Sequence, residues 1–355
     1  MIYSYGITQI GTYHIEHNIV CQDAHYIKKL SDSCVIAAVA DGLGSEMYTD
    51  VASKAASQTA VEVCAEKYSP DMDDSAVIEL IRQAFRTALY RIEEIASENG
   101  HEITQYDTTL DLVIYTGGRV FFGHAGDSGI VALLSDGTYA KVTQQGRDDM
   151  GRVFPLCFED YWVFGVYEKA AASVFLATDG MLETLFPILL RSQPVDIYVA
   201  LAQYFMDREL LHFEEVGEAT VVEKIGEFIS SISGEQVDDD KTVVVLCDEG
   251  VEVTRQPGEY YAVPDWKRLE QEHREAYMRE AYPHLFKDKG ASAAKAEKTP
   301  EEEGPQNSAG DSQQQGSDAA GENAPEGSEK APEKQSSKGP FGKKLFRKRG
   351  KNGTP

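Results

Sequence analysis

No stretch of this sequence is apolar for long enough to cross a bilayer. The run Val35–Ala40 covers six residues, where a spanning helix needs about twenty. The N-terminus, MIYSYGITQIG, has neither a basic n-region nor a long apolar core, so no secretory signal is expected. Cysteine is sparse and scattered. Cys21, Cys34, Cys64, Cys157 and Cys247 form an odd set without a CxxC pair, which reads as reduced thiols in a cytoplasmic protein. Positive charge is also short: 34 basic residues face 59 acidic ones, a net charge of -25. A surface so charged repels a polyanion, so no nucleic-acid partner is expected. It suits a protein that collects cations.

Hydrophobic residues make up 42% of the chain, enough for a sizeable core. They stop near residue 288. From Asp288 to Pro340 the chain is Gly, Ser, Ala, Gln, Glu and Pro with almost no large apolar side chain. Such a segment cannot offset its ordering entropy by burial, and disorder is expected. It ends in a basic tip, Phe341 to Lys351, with six basic residues and Phe341, Leu345 and Phe346 among them. Residues 288–355 hold 12 basic and 11 acidic residues, so 1–287 hold 22 and 48, a balance of -26. The negative charge belongs to the folded part. The tip is the segment suited to weak contact with an anionic membrane or an acidic partner.

Within 1–250, Val35–Asp41 reads as a buried strand and turn. Residues 50–66 carry Ala52, Ala55, Ala56, Thr59 and Val63 on one helical face; 74–97 carry Val77, Ile81, Phe85, Ala88, Ile92 and Ile95 at helical spacing. Asp74 or Ser75 is expected to cap the second helix and Asn99-Gly100 to end it. Strand signals then crowd at 108–116, 119–124, 129–134, 138–142, 162–167 and 173–177, with Gly117-Gly118 and Asp136-Gly137 as hairpin turns. Helices are expected at 194–208 and 214–232, and a last strand at 242–247. Adjacent hairpins imply antiparallel sheets, and the helix pairs can cover their outer faces. The expected class is α+β, a four-layer αββα sandwich. Residues 265–282 read as a further helix, capped by Asp265, packing through Trp266, Leu269 and Tyr277.

Five acidic sites stand beside glycine or at a strand end: Asp23 in Cys21-Gln-Asp-Ala24, Asp41 in Asp-Gly-Leu-Gly44, Asp127 in Gly126-Asp-Ser128, Asp179 in Thr178-Asp-Gly180, and Asp239 in Asp238-Asp-Asp-Lys-Thr242. In each, a carboxylate is delivered where the backbone turns. Convergent carboxylates repel one another unless cations hold them, and hard divalent ions take oxygen ligands. Singly, an Asp-Gly is more often a plain turn, as Asp136-Gly137 is. Five in fixed local contexts imply metal.

In order and context these sites resemble the type 2C, metal-dependent, serine/threonine protein phosphatase family over about 1–250. Asp41-Gly-Leu-Gly44 resembles its DGxG, Gly126-Asp-Ser128 its GDS, Thr178-Asp-Gly180 its DG after a strand, and Asp239-Asp-Lys-Thr242 its closing motif. Gly11-Thr-Tyr-His14, Cys21-Gln-Asp23 and Tyr48 are similar to a bacterial branch. The resemblance implies two central Mn²⁺ or Mg²⁺ ions and a weaker third. Asp41 would bridge the central pair; Asp23 and the Gly42 carbonyl would complete one ion, and Asp179 and Asp239 the other. Asp127 with Asp179 would hold the third. A metal-activated water would hydrolyse phosphoserine and phosphothreonine in proteins, opposing a serine/threonine kinase. The implied organisation is a phosphatase domain at 1–250, a helical extension at 251–287 packed on or beside it, and a disordered tail at 288–355.

The sequence departs from the pattern at two points, one of them the Gly44-Ser45 that stands after Asp41-Gly in place of Gly-Gly and should still turn. Many members have an arginine shortly before the first acidic ligand, to clamp phosphate; Glu16-His-Asn-Ile-Val20 has none. His14, His17 or Asn18 are the candidates to replace it, and His14 is assigned phosphate contact or proton donation. Arg147 and Arg152, before Phe154-Pro155, read as a solvated loop rather than a flap over substrate. His124 reads as structural. The rival functions are a catalytically weak scaffold with this fold, which would need damaged metal sites, and a Mg²⁺-dependent hydrolase of small phosphate esters. Against the second, there is no GxxxxGK[ST] loop and no DxD pair at a first strand.

Overall fold

In the computed structural model, which describes residues 1–44 and 46–286, the apolar run Cys34–Ala40 is a strand buried on both faces. Val35, Ala37 and Val39 point into one core layer, Ile36, Ala38 and Ala40 into another. A run without polar alternation is what a strand between two covered faces requires. The strands are β1 Ile2–Gln9, β2 Ala24–Ser31, β3 Cys34–Ala40, β4 Leu110–Thr116, β5 Arg119–Ala125, β6 Gly129–Leu134, β7 Tyr139–Lys141, β8 Val163–Tyr167, β9 Ala171–Ala177 and β10 Lys241–Asp248. They form two antiparallel sheets, ordered β1-β10-β9-β6-β7 and β2-β3-β4-β5-β8. Between the sheets, Val39, Val113 and Val120 from one share a core with Ile130, Val174, Leu176 and Val244 from the other.

The main helices are α1 Thr12–His17, α2 Thr49–Lys67, α3 Asp74–Asn99, α4 Asp179–Leu185, α5 Val199–Met206, α6 Glu218–Ser230 and α7 Trp266–Ala281. Ala52, Ala56 and Ala60 let α2 come close to the second sheet, and Ile81, Phe85 and Ala88 of α3 join the same core. On the outer face of the first sheet, Tyr5 donates from its hydroxyl to the Phe205 carbonyl (2.8 Å), and Ser173 to that of Met206 (2.7 Å). Gln9 reaches the Gly226 carbonyl of α6 at 2.9 Å. The architecture is therefore the four-layer αββα sandwich that the element order implies.

Four local differences have physical causes. The cap of α3 is Asp73, which accepts from the Ala76 N–H at 2.8 Å, not Asp74 or Ser75; Gly100 ends the helix at φ 69°. The helix expected at 194–208 starts at Val199 and breaks at Asp207, whose side chain instead caps a separate turn, Arg208–Leu211. Gly217, at φ 77°, divides Phe213–Val216 from α6. Strands β1 and β2 lie outside the apolar-run reading. Strand β2, with Lys28, Lys29 and Ser31, is a half-exposed edge, and β1 alternates buried Ile2, Tyr5 and Ile7 with polar positions.

The described chain divides into two compact units, Met1–Asp265 and one that begins at Trp266 with α7. Among the described residues, no helix is long and apolar enough to cross a membrane. The expected tail with its basic tip, and Ser45 of the turn after Asp41, lie outside the described residues.

Candidate metal centre and active site

Asp41 follows β3 directly, and the backbone around it is locked. Its N–H donates to Thr109 Oγ1 (2.9 Å), and its carbonyl accepts from Thr108 Oγ1 (2.9 Å) and the Thr109 N–H (2.8 Å). Gly42 bridges to Thr108. A Cβ there would stand 2.6 Å from Thr49 Cβ, so only glycine lets α2 begin this close. Asp127 leaves β5 through Gly126 at φ 109°, where a Cβ would meet Thr109 Cγ2 at 2.4 Å. Asp179 opens α4 at the end of β9, and Thr178 before it is the N-cap residue.

Two sheets and one helix start thus bring Asp41, Asp127 and Asp179 together, with one carboxylate oxygen of each within 4.8 Å of the others. Asp23 and Asp239 border this group. Asp23 is buried in the loop before β2, its Oδ2 accepting from Thr178 Oγ1 at 2.8 Å. Burial, then the charges of Asp23, Asp179, Asp239 and Asp127, raise Asp41 well above the usual carboxylate range. Burial, with Asp127 and Glu183, pushes Asp179 up to about 6. Burial likewise raises Asp23 and Asp239. Converging carboxylates whose ionisation is still resisted, with one arginine among them, carry more negative charge than is balanced. The donors are all oxygen, which fits Mg²⁺ or Mn²⁺ rather than a thiolate- or imidazole-seeking metal. Gln22 Oε1, buried next to Asp23, has no hydrogen-bond partner among the described residues.

Asp240, the last of three consecutive aspartates, does different work. Its Oδ1 accepts from the Gly11 N–H and its Oδ2 from the Gln22 N–H, both at 2.6 Å. His14 Nδ1 lies 2.9 Å from Oδ1. One buried carboxylate therefore ties the start of α1 and the Asp23 loop to the start of β10. His14 is 5% exposed and faces this carboxylate. His17 is exposed, its Nδ1 at 2.8 Å from the Tyr13 carbonyl, and Asn18 is the left-handed C-cap of α1. His124 pairs with Asp111 at 2.8 Å, both buried, beneath the Gly126–Asp127 turn.

The residue that the sequence reading misplaces is Arg147. It is not in a solvated loop: its Nη2 lies 2.6 Å from Asp127 Oδ2 and 3.0 Å from Asp179 Oδ2. Arg152 instead pairs with Asp148 at 2.7 Å. Neither periodicity nor motif distinguishes the two arginines; the separation comes from the bond of the Gly146 N–H to the Gly126 carbonyl, at 2.6 Å. Beside the cluster, a cleft of about 620 Å³ runs from Gln145 and Glu183 past Phe186 to Lys141 and Arg191.

The β-sandwich thus gathers carboxylates at its strand ends, with a cleft beside them. The chain matches the family model of protein phosphatase 2C over residues 10–230 and belongs to that family; it is a protein serine/threonine phosphatase. Several solved structures are similar to this chain. A bacterial serine phosphatase aligns with a TM-score of 0.50 at 14% identity, over 71% of this chain and 100% of that one. The serine/threonine phosphatase Stp1 from Staphylococcus aureus aligns with a TM-score of 0.49 at 13% identity, over 70% and 96%. The Mycobacterium tuberculosis serine/threonine phosphatase PstP/Ppp aligns at 0.46 and 20% identity, over 70% and 99%. No curated protein matches the sequence.

Proposed function

We propose that residues 1–250 hydrolyse phosphoserine and phosphothreonine in proteins at a site of two central Mn²⁺ or Mg²⁺ ions and a weaker third. The observation that carries this reading is the approach of Asp41, Asp127 and Asp179 within 4.8 Å, with Asp23 and Asp239 at its border. Asp41 would serve both central ions, Asp23 and the Gly42 carbonyl one of them, and Asp179 with Asp239 the other; Asp127 with Asp179 would hold the third. Bound there, divalent ions would acidify a water and offset charge on the phosphoryl oxygens.

The protein's own part is placement. Thr108 and Thr109 hold the Asp41 backbone. Thr178 holds Asp23. Asp240 holds the start of α1 and the residue just before Asp23, and His14 lies against the same carboxylate, so we assign His14 a positioning role at the site. The cleft from Glu183 to Arg191 has room for the peptide that flanks the phosphorylated residue, which favours a protein substrate over a free phosphate ester. The intact carboxylate set argues against a scaffold.

Phosphoserine and phosphothreonine are made by kinases, so the enzyme opposes a serine/threonine kinase. All five cysteines are free, which suits a cytoplasmic setting. On its sequence, the basic tip 341–351 is the handle for an anionic surface or acidic partner. Manganese-dependent phosphate release from a phosphothreonine peptide, with nucleotides assayed in parallel, tests the reading. Release from the peptide alone supports it. Release from nucleotides alone contradicts it.

A further inference from the structure

The segment that carries Arg147 is closed on itself and pinned beside the carboxylates. The Gly146 N–H donates to the Gly126 carbonyl (2.6 Å), and Gln145 Nε2 to that of Asp127 (2.8 Å). Arg147 bridges to Val153, and the Phe154 N–H returns to the Gly146 carbonyl at 3.0 Å. At the tip, Asp148 accepts from the Met150 and Arg152 N–H groups and pairs with the Arg152 guanidinium. Arg152 is therefore satisfied within the segment, while Arg147 reaches out of it.

The same nitrogen, Nη2, makes the nearest approach of the Arg147 guanidinium to each of three carboxylates: 2.6 Å to Asp127 Oδ2, 3.0 Å to Asp179 Oδ2 and 3.7 Å to Glu183 Oε1. One nitrogen is thus shared between the carboxylates of Asp127 and Asp179. A cation on those two oxygens and a divalent ion bound by the same oxygens exclude each other, by volume and by repulsion at contact distance.

We propose that Arg147 is a removable counter-ion for Asp127 and Asp179, which a divalent ion must displace to occupy this pair. The displacement couples filling of the weaker metal site to release of segment 146–154 from the catalytic face. The proposal rests on the reading of Asp127 and Asp179 as metal ligands. Arg147 acts through those two carboxylates, as a positioning residue. The coupling is reciprocal: whatever holds the segment down weakens the ion, and whatever lifts it tightens the ion.

The test uses the full chain, stripped of metal, as wild type, Arg147→Gln, Arg147→Lys and Arg152→Gln. Mn²⁺ binding is followed by the electron paramagnetic resonance signal of the free ion, and backbone hydrogen exchange of 146–154 is measured with and without Mn²⁺. Arg147→Gln should bind its weakest Mn²⁺ about tenfold more tightly, equivalent to removing a competitor worth ~1.4 kcal/mol. Arg147→Lys should stay near wild type because it keeps the charge, and so should Arg152→Gln. Mn²⁺ should speed exchange of 146–154 in wild type. In Arg147→Gln exchange should be fast throughout. Unchanged Mn²⁺ affinity in Arg147→Gln, at wild-type stoichiometry, overturns the counter-ion role alone. Absence of Mn²⁺ binding in every protein overturns it together with the metal reading.

Discussion

Thr178 Oγ1 donates to Asp23 Oδ2 at 2.8 Å, joining residues 155 positions apart. Thr178 immediately precedes Asp179, so one hydroxyl sets the spacing between two carboxylates assigned to the metal centre. The same oxygen accepts from the Thr242 N–H at 3.2 Å. Replacing Thr178 with valine keeps the shape and removes the hydroxyl. Asp23 then loses a buried hydrogen bond, at a cost of about 1–3 kcal/mol. Thr178→Val should melt lower in the absence of metal and bind Mn²⁺ more weakly, as calorimetry can show. Unchanged values of both would mean the contact positions nothing.

Adjacent aspartates should separate by phenotype. Asp239→Asn should leave the metal-free fold nearly as stable as wild type, since its side chain bonds locally, to the Asp240 N–H at 2.8 Å. It should lose most of its thermal stabilisation by Mn²⁺. Asp240→Ala should behave in the opposite sense. It removes the acceptor of the Gly11 and Gln22 N–H groups and strands His14 in a buried site. A loss of about 3 kcal/mol or more is expected in urea unfolding without metal. Equal stabilities of the two variants would contradict the division of roles.

Acidity should stabilise the metal-free protein. The folded state holds Asp179 at about 6 against an ordinary 3.8, and Asp41 well above its usual range. Between those values the folded protein binds more protons than the unfolded chain, so stability falls as pH rises. Its contribution is full below about pH 4 and lost as pH passes the folded value. With chelator present, the melting temperature should drop between about pH 5 and pH 7. Saturating Mn²⁺ should abolish the drop, because binding to the folded state favours the ionised carboxylates. A melting temperature that rises over this range without metal would contradict the reading.

Much of this was legible in the sequence because it is written in local grammar. Val35–Asp41, Gly126-Asp127 and Thr178-Asp-Gly180 each announce a strand that ends in a carboxylate, and all three arrive in one cluster. The helices α2 and α3 announce themselves by spacing. Strand β2 does not, because an edge strand needs no apolar run: Lys28 and Lys29 point to solvent. The different fates of Asp239 and Asp240 were hidden as well. Both are acidic, both precede β10, and only the approach of Gly11 and Gln22 from distant parts of the chain tells them apart. Arg147 was invisible for the same reason. Its partners stand 20 residues upstream and 32 residues downstream, beyond what a local pattern records; they meet it through the fold.

The most direct test of the central claim is phosphate release from a phosphothreonine peptide across a Mn²⁺ titration, by wild type, Asp41→Asn and Asp179→Asn. Each substituted carboxylate is assigned to more than one ion, and each variant keeps the volume of the wild-type side chain. Wild type should turn over only with metal, and both variants should lose at least about a hundredfold in kcat, equivalent to ~2.7 kcal/mol or more of transition-state stabilisation. Near-normal turnover by either variant at saturating Mn²⁺, or full turnover by wild type in chelator, would contradict the account.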